Sequence, residues 1–415
     1  RRGVSLNFGC YVGHTAVRIF VMGDEAYERA ASDDELASMQ AVIADAMAGG
    51  AMGFATSASP THNGDKGRPV PSRVADVEEL RALLTPVRDS GRGVVALLPG
   101  GVLHNRDMFE LQRHVGRPVT WTALLTVKNY PYHEKVIAEH DAARAEGVEV
   151  WPQVSCRPLV FQMNLAEPFT LNTRPSFAAL MDGAHEARLA AYRDPAWRAQ
   201  AWEELAGGRG GLPFNWASVS VAESPGHPEL VDRRVEELAA ERGCTALDVV
   251  LDISLDDDLK TRFWSVIAND DPEGITWLLP RDGVLLGLAD SGAHVSQLCD
   301  ACFATDLLGN WVRERAVMPL ERAIHKLTGE PASVYGLADR GTLEAGKAAD
   351  ICVFDPDTVA PGPLVRKRDF PADGERLTAE APVGMNHVLV NGVAIREDGR
   401  PRAEGLDAHP GKVLR

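Results

Sequence analysis

A carboxylate and an imidazole lie close together in the stretch Gly283–Val295, which reads Gly-Val-Leu-Leu-Gly-Leu-Ala-Asp-Ser-Gly-Ala-His-Val. Asp290 follows the apolar run Val284–Ala289, and His294 comes shortly after it. Such a run is typical of a strand buried on both faces, and functional sites in parallel α/β folds lie at the carboxyl ends of the strands. Asp290 is therefore predicted to act as a general base or a metal ligand. The alternative is that it caps the next helix.

The composition excludes several classes of function. The chain has 415 residues, of which 45% are hydrophobic and 25% charged, and its formal charge is −16. This length predicts one large domain and a smaller one. The net negative charge argues against binding to nucleic acid or to anionic membranes, because either would need a basic face. No apolar run approaches the roughly 20 residues of a membrane span.

The cysteines indicate a reducing compartment. They are sparse and mostly in apolar surroundings, which predicts free thiols in a cytoplasmic protein. Cys299-Asp-Ala-Cys302 has the spacing of a redox motif, but no thioredoxin-like pattern flanks it. The six cysteines are Cys10, Cys156, Cys244, Cys299, Cys302 and Cys352.

Strand and helix patterns alternate along the first part of the chain. The box Ser32-Asp-Asp-Glu35 opens a helix with apolar residues at helical spacing, and the strands are separated by similar helices. This order predicts right-handed crossovers and a parallel sheet, most simply a (β/α)8 barrel, in which Val284–Ala289 is the sixth visible strand. The five preceding strands are predicted at Val4–Val12, Ala51–Ser57, Gly93–Leu98, Pro118–Thr126 and Val148–Val154.

Two further segments interrupt or follow this pattern. Residues 157–282 contain helical stretches and little strand pattern, which predicts a long insertion between two barrel strands. From Gly341 the chain shows strands with turn signals, including the hairpin turn Asn391-Gly392, and these predict a small β-sandwich. We expect a barrel domain over 1–335 and a sandwich module over 336–415.

The C-terminal segments Gly341–Pro356 and Val388–Ile395 resemble the small β-sandwich of the amidohydrolase superfamily. Three barrel motifs resemble the N-acyl-D-amino-acid deacylase group, the amidohydrolase-3 family, and the resemblance covers nearly the whole chain. These motifs are Val12-Gly13-His14-Thr-Ala-Val-Arg18, Gly50-Ala-Met-Gly53-Phe-Ala-Thr-Ser57 and Leu288-Ala-Asp290-Ser-Gly-Ala-His294. The resemblance implies a metal-dependent hydrolase of carbon–nitrogen bonds that acts on a small-molecule amide.

Members of this family begin with a sandwich strand, a barrel strand ending in His-x-His and a strand with a metal-binding Cys. This sequence opens at Arg1 without them. We expect the first two barrel strands to lie outside this numbering or to be absent. Either the chain is truncated or another polypeptide supplies that part, and a homo-oligomer is a further alternative.

The resemblance also shows departures at the metal site. The family's fifth and sixth strands each end in a metal-binding His, but here the matching ends read Ala96-Leu-Leu-Pro99 and Thr120-Trp-Thr-Ala-Leu-Leu-Thr126. Asp290 is the clearest ligand candidate. His104, in a loop, and Cys156, at the end of the seventh strand, are weaker candidates, with a solvated His and an inert buried thiol as alternatives. Zinc is the expected metal, and two imidazoles from the family's His-x-His with Asp290 would suffice for one ion.

Four side chains are candidates for substrate binding. Arg157 is predicted to pair with a substrate carboxylate, with an internal ion pair as the alternative, and Lys128 is a weaker candidate for the same task. His14 and Arg18 belong to a motif shared with the deacylases, and a structural histidine is the alternative for His14. His294 is predicted to orient the attacking water or the leaving group, or else to cap a helix.

Two classes of function follow. The first is hydrolysis of an N-acyl amino acid or a related amide by metal-activated water, with Asp290 transferring the proton. The second is a metal-free barrel that acts as a binding or regulatory protein, and the apolar ends of the fifth and sixth strands favour it.

Overall fold

The computed structural model describes residues 3–64, 67–101, 103–208, 214–289, 292–293, 295–402 and 409–415. Its strands are β1 Val12–Gly13, β2 Gly53–Ser57, β3 Val94–Leu98, β4 Val119–Trp121, β5 Val150–Val154, β6 Leu159–Met163, β7 Ser220–Glu223, β8 Arg262–Ala268, β9 Leu285–Leu286, β10 Ile351–Phe354, β11 Leu364–Phe370, β12 Gly374–Ala379, β13 Met385–Val390, β14 Val393–Glu397 and β15 Arg400–Pro401. Its α-helices are α1 His14–Met22, α2 Asp33–Gly49, α3 Val77–Asp89, α4 Asn105–Val115, α5 Tyr132–Ala145, α6 Pro175–Ala178, α7 His185–Arg193, α8 Pro195–Ala206, α9 Val235–Arg242, α10 Ala246–Asp256, α11 Pro272–Leu278, α12 Phe303–Asp306, α13 Leu320–Leu327 and α14 Gly329–Val334. A π-helix, Leu307–Glu314, follows α12 directly.

The six predicted barrel strands form one parallel sheet in the order β1-β2-β3-β4-β5-β9. Alternation of side chains gives this sheet two faces. Phe54, Val95 and Val119 lie in one register row and pack in a core with residues of the surrounding helices. Ala96 and Leu98 therefore point to the opposite face. The predicted barrel-type fold is confirmed.

Capping residues and glycines determine where the helices and strands of the βα units begin and end. The predicted capping box of α2 is present, since the backbone N–H of Ser32 donates to Glu35 and the Ser32 hydroxyl accepts from the Glu35 N–H. The helix ends at Gly50, with φ 107°. Gly53 opens β2 with φ 139°, and a Cβ there would lie 1.8 Å from the Val94 carbonyl oxygen. Close contact of β2 with β3 therefore requires glycine at this position.

Residues 157–282, predicted to be an insertion, contain an antiparallel sheet in the order β6-β8-β7. This sheet and helices α6–α10 bury a hydrophobic cluster of their own, which includes Phe177, Tyr192 and Phe263. The barrel helices and strands bury a second cluster, which includes Ile43 and Leu83. The insertion therefore has its own core.

The C-terminal strands form two antiparallel sheets. One has the order β10-β13-β14-β15, with the predicted turn at Asn391-Gly392 between β13 and β14, and the other is the hairpin β11-β12. The hairpin contacts the insertion through Arg366, which bonds to Glu223 of β7 and to Gln162 of β6. The prediction of a C-terminal β module is confirmed.

Two predicted strands are shorter in the structure. Of Val4–Val12 only Val12 lies in a strand, because Phe8 makes an isolated bridge with Val413 instead of continuing β1. Of Val284–Ala289 only Leu285 and Leu286 are paired. Among the described residues, no helix is both long and apolar enough to span a bilayer.

Candidate active site

A cavity of about 550 Å³ lies at the carboxyl-terminal ends of the parallel strands, and we call it the mouth cavity. Its described polar lining residues are Thr56, Ser59, Thr61, His62, Thr122, Thr170, Asn172 and Thr173. Its described apolar lining residues are Ala96, Leu97, Leu98, Ala123, Leu125, Leu159, Phe161, Ile267 and Leu288. Its volume lies in the range of small-molecule sites, and its position is that of the active site in (β/α)8 enzymes.

Two parts of the chain form the walls of the mouth cavity. Ala96 and Leu98 of β3 contribute from the barrel sheet, while Leu159 and Phe161 of β6 and Ile267 of β8 contribute from the insertion. The insertion therefore covers the end of the barrel at which the chemistry is expected, as lids and specificity loops do.

His62 is a titratable side chain at the mouth cavity that the sequence analysis did not identify. Its Nδ1 lies 2.7 Å from the Ser57 hydroxyl, at the end of β2. The residue stands in a loop rich in Pro, Gly and Asn that carries no recognisable catalytic motif. The sequence feature that could have indicated a role for His62 is its position, five residues after the end of β2.

Asp290 and His294, the main catalytic candidates, lie outside the described residues. Their described neighbours are held by hydrogen bonds from other segments. The carbonyl of Ala289 accepts from the Asp300 N–H at 3.1 Å, and the carbonyl of Val295 accepts from the Leu377 N–H at 2.7 Å. The roles of Asp290 and His294 stay predictions.

His14 and Arg18 form a buried triad with Glu79 of α3. His14 is 1% exposed and Arg18 0%. His14 Nε2–H donates to the Glu79 carboxylate at 2.8 Å, so Nδ1 accepts from the Thr56 hydroxyl at 2.8 Å. Arg18 donates to the same carboxylate and to two backbone carbonyls. This geometry favours the structural alternative over substrate binding, because these polar groups are already engaged inside the protein.

The triad has a defined charge state. Burial lowers the pKa of His14 below its usual 6.5, against the opposing effect of Glu79. Burial raises the pKa of Glu79, but the hydrogen bonds from His14 and Arg18 outweigh it and bring that pKa below 4.5. The resting triad is therefore a neutral imidazole, a carboxylate and a guanidinium.

Arg157 and Lys128 are not among the described residues that line the mouth cavity. Arg157 Nε donates to Asp300 at 2.8 Å and Nη1 to Asp306 at 3.2 Å, which favours the alternative of an internal ion pair over the predicted substrate contact. Lys128 is exposed in a separate outer groove beside Tyr130 and Trp277. A role for either in holding a substrate carboxylate in this cavity is not supported by these positions.

The two weaker metal candidates, His104 and Cys156, are also not among the described residues that line the mouth cavity. His104 is exposed at the start of α4 and lines a different cavity, between α4 and α5. Cys156 is fully buried and its thiol donates to the Phe303 carbonyl at 3.3 Å. Burial raises the pKa of this thiol well above 9.0, whereas a zinc ligand must be a thiolate. The alternatives of an exposed His and an inert thiol are favoured.

The described side chains do not fit a zinc site. No group of three His, Cys, Asp or Glu residues within the described ranges is arranged to hold a metal ion. Leu98, at the end of β3, and Thr122 and Ala123, just after β4, line the cavity where the family resemblance implies imidazoles. Gln153 of β5, whose orientation the sequence left open, donates to the Thr120 hydroxyl at 3.1 Å, and Val154 packs in the barrel core.

Comparison with known proteins agrees with this fold. The model of the family described as "Amidohydrolase family" matches residues 7–395. A D-aminoacylase from Alcaligenes xylosoxydans xylosoxydans is 27% identical over 423 residues, which cover 99% of this chain and 70% of the relative. An N-acyl-D-glutamate deacylase from the same organism is 26% identical, with 99% and 70% covered.

Solved structures give the same result. A crystal structure of D-aminoacylase has a TM-score of 0.61 at 26% identity, covering 99% of this chain and 72% of that one. An N-acyl-D-glutamate deacylase from Bordetella bronchiseptica, complexed with zinc and a phosphonate inhibitor, has a TM-score of 0.61 at 22% identity, also covering 99% and 72%, and supports the fold alone. The predicted amidohydrolase resemblance is confirmed, and this chain belongs to the amidohydrolase family.

Proposed function

We propose that this chain hydrolyses the carbon–nitrogen bond of an N-acyl amino acid or a related small amide, with the substrate bound in the mouth cavity. One observation carries the proposal. In a member of the amidohydrolase family, a cavity of about 550 Å³ lies at the carboxyl ends of the parallel strands, beside the segment that leads into Asp290. The D-aminoacylase similarity over 99% of the chain supports the substrate class.

The reaction requires a base and an acid at the amide. Water attacks the carbonyl carbon, Asp290 accepts the proton of the water, and the proton passes to the leaving amine as the carbon–nitrogen bond breaks. His294 orients the water or the leaving group. His62, which lines the same cavity, is a further titratable group that can hold a proton near the reacting atoms.

Zinc stays a prediction that rests on Asp290. A solved relative contains zinc, and a D-aminoacylase structure is described by its binuclear metal centre. The described residues of this chain do not supply a set of three ligands, so no step above depends on the ion.

The test combines turnover with metal analysis. The purified chain, prepared without chelators, is assayed for amine release from N-acetyl-D- and N-acetyl-L-amino acids, and its zinc content is measured. We expect turnover of at least one enantiomeric series, and a fall of roughly 10²–10⁴-fold in Asp290→Asn. Absence of turnover across both series, with and without added zinc, would overturn the proposal.

The second candidate is a metal-free binding or regulatory protein. Leu98 and Ala123 at the strand ends favour it, because apolar side chains cannot hold a metal ion. Under this alternative, zinc content is nil and N-acyl amino acids bind without being hydrolysed.

A cytoplasmic location is part of the proposal. All six cysteines are free, which fits a reducing compartment. Association with further copies of the chain stays a prediction. Sedimentation of the purified chain tests it.

A further inference from the structure

The outer groove is a second cavity, with a volume of about 730 Å³. It lies between the segment that leads from β4 into α5 and the residues of α11. Its described lining residues are Lys128, Asn129, Tyr130, Pro131, His133, Glu134, Asp271, Pro272, Glu273, Gly274 and Trp277. None of these described residues lines the mouth cavity, so a ligand in the outer groove would not occupy the predicted active site.

His133, on the first turn of α5, is a buried histidine with an unused hydrogen-bonding atom. It is 3% exposed, and its Nδ1 has no hydrogen-bond partner among the described residues. His140, also buried on α5, uses both ring nitrogens, because Nδ1 donates to the Val136 carbonyl and Nε2 accepts from Trp121 Nε1. Buried polar atoms without a partner are rare and costly in native proteins. We therefore expect His133 Nδ1 to find its partner in a ligand of the groove that this residue lines.

Helix α11 packs closely against the His133 ring. Trp277 meets this ring at an interplanar angle of 69°, with the ring centroids 5.6 Å apart. A Cβ at Gly274 would lie 2.9 Å from His133 Cε1 and 2.6 Å from Asp271 Oδ2, so a side chain at this position would have to displace one of them. Because Nδ1 is bonded to Cε1, the unused nitrogen lies near the Asp271 carboxylate. A ligand atom that reaches one of these two groups is therefore close to the other.

Negative charge predominates in the outer groove. Three carboxylates line it, those of Glu134, Asp271 and Glu273, against one ammonium group, that of Lys128. None of these three carboxylates forms an ion pair within the described part of the chain. The groove therefore attracts a cation and repels an anion.

Aromatic rings add a second source of attraction for a cation. Tyr130 is 58% exposed, and its ring stacks on that of Tyr132 with the centroids 6.0 Å apart. The guanidinium of Arg281 lies 3.6 Å from the centroid of the Trp277 ring. The chain thus already places one organic cation against an aromatic ring of this groove, and such cation–π contacts contribute most where water is excluded.

We propose that the outer groove binds an organic cation with N–H donors, a primary ammonium or a guanidinium group. One N–H donates to His133 Nδ1, which accepts as the unprotonated nitrogen of a neutral imidazole. The carboxylates of Asp271, Glu134 and Glu273 stabilise the positive charge. A metal ion does not fit, because no three His, Cys, Asp or Glu residues of the described part of the chain are arranged to hold one. This inference goes beyond the proposed function and does not depend on it.

Isothermal titration of the purified full chain at pH 8, where imidazoles in general are mostly neutral, measures binding of four ligands that share a phenyl ring. Benzylamine is a cation with N–H donors, benzyltrimethylammonium is a cation without them, benzyl alcohol is neutral and phenylacetate is an anion. We expect benzylamine to bind at least about tenfold more tightly than each of the other three. The reason is that the attraction of the carboxylates and the charge-assisted hydrogen bond to His133 act together only on benzylamine.

Two variants locate the binding site. His133→Phe keeps a ring that packs against Trp277 but removes the acceptor, so benzylamine should bind about tenfold more weakly and no better than benzyltrimethylammonium. The double change Glu134→Gln and Glu273→Gln removes two exposed carboxylates and should weaken both cations by about threefold or more, with little effect on benzyl alcohol. Thermal unfolding of each variant checks that the fold is retained.

A matched control removes the same charge elsewhere. The double change Glu186→Gln and Glu236→Gln lies at exposed positions of α7 and α9 and should leave all four affinities unchanged. A fall in benzylamine affinity equal to that of the groove variant would mean that only the net charge of the protein matters, and would overturn the proposal.

The other outcomes are equally decisive. Absence of saturable benzylamine binding, equal binding of benzyltrimethylammonium by the wild-type chain, or tighter binding of phenylacetate would each overturn the proposal. Benzylamine affinity that is unchanged in both groove variants would place the cation outside the outer groove and would also overturn it. Turnover enters none of these measurements, so their result stands whether or not the chain hydrolyses N-acyl amino acids.

Discussion

The backbone N–H of Leu377 donates a hydrogen bond of 2.7 Å to the carbonyl oxygen of Val295. Val295 directly follows His294, and Leu377 belongs to the hairpin β11-β12 of the C-terminal region. On the same hairpin, Arg366 Nη1 donates to the carbonyl of Ser296 at 2.8 Å. The C-terminal hairpin thus fixes the backbone that follows the predicted catalytic segment.

Replacing Arg366 by Met should release this backbone. The change keeps the length of the side chain but removes its donors to Ser296 and Glu223, and hydrogen bonds of a charged group contribute about 1.5–3 kcal/mol. We expect kcat to fall about tenfold or more and amide exchange at 295–297 to accelerate. Arg368→Met, on the same strand and 63% exposed, is the control. Unchanged exchange at 295–297 in the Arg366 variant would contradict this account.

Replacing Glu79 by Gln should destabilise the barrel. It leaves the Arg18 guanidinium buried without its carboxylate, and breaking a buried ion pair on one side costs about 3–5 kcal/mol. Urea unfolding gives the difference in free energy. Glu78→Gln, the adjacent residue on α3 with a 78% exposed side chain, should change it by less than about 0.5 kcal/mol. Equal effects of the two variants would show that the triad does not stabilise the fold.

His14 should make stability depend on pH below neutrality. Because burial lowers its folded pKa below 6.5, the unfolded state binds the extra proton between the two pKa values. Its contribution is complete above pH 6.5 and is lost as the pH falls below it, with a slope of up to about 1.4 kcal/mol per pH unit. Unfolding free energies between pH 7 and 5 should show a smaller slope in His14→Gln than in wild type. A slope in His14→Gln equal to that of the wild type would contradict this account.

The side chain of Asn269 connects three segments at the barrel mouth by hydrogen bonds. Its Oδ1 accepts from the Thr126 N–H at 3.0 Å, and its Nδ2 donates to the carbonyls of Ser155 and Arg157 at 2.9 and 2.7 Å. Asn269→Asp puts a carboxylate oxygen against the two carbonyls inside the protein. We expect a loss of about 3 kcal/mol or more in unfolding free energy. Asn129→Asp, at an exposed position with a similar φ of 62°, should be nearly neutral.

Asp290→Asn tests the predicted base. The change keeps the shape of the side chain but removes its capacity to accept a proton, so turnover should fall by roughly 10²–10⁴-fold. Thermal unfolding should be little changed. Wild-type turnover of an N-acyl amino acid by this variant would exclude Asp290 as the base.

The sequence predicted those parts of the fold that depend on local signals. The helix at Asp33–Gly49 follows from its capping box and apolar spacing, and the parallel sheet follows from the alternation of strands and helices. The antiparallel sheet of the insertion was largely missed. Its strands Leu159–Met163 and Arg262–Ala268 are far apart in the chain, and neither carries a turn signal that indicates its partner.

The site was predicted less completely, because its side chains also come together from segments that are far apart in the chain. Arg18 and Glu79 are 61 residues apart, so the ion pair that engages Arg18 leaves no local pattern. Arg157 similarly meets Asp300 at a separation of 143 residues. A charged side chain at a strand end indicates a substrate contact only when no opposite charge reaches it, and sequence spacing does not contain that information.

The separate hydrophobic cluster of the insertion also affects how the protein unfolds. Because Phe177, Tyr192 and Phe263 are buried among residues of the insertion, that segment can lose its structure while the barrel cluster around Ile43 and Leu83 stays packed. Leu159, Phe161 and Ile267 would leave the mouth cavity in such a partly unfolded state. Substrate that contacts both walls would then favour the fully folded state, and its binding would couple the unfolding of the insertion to that of the barrel.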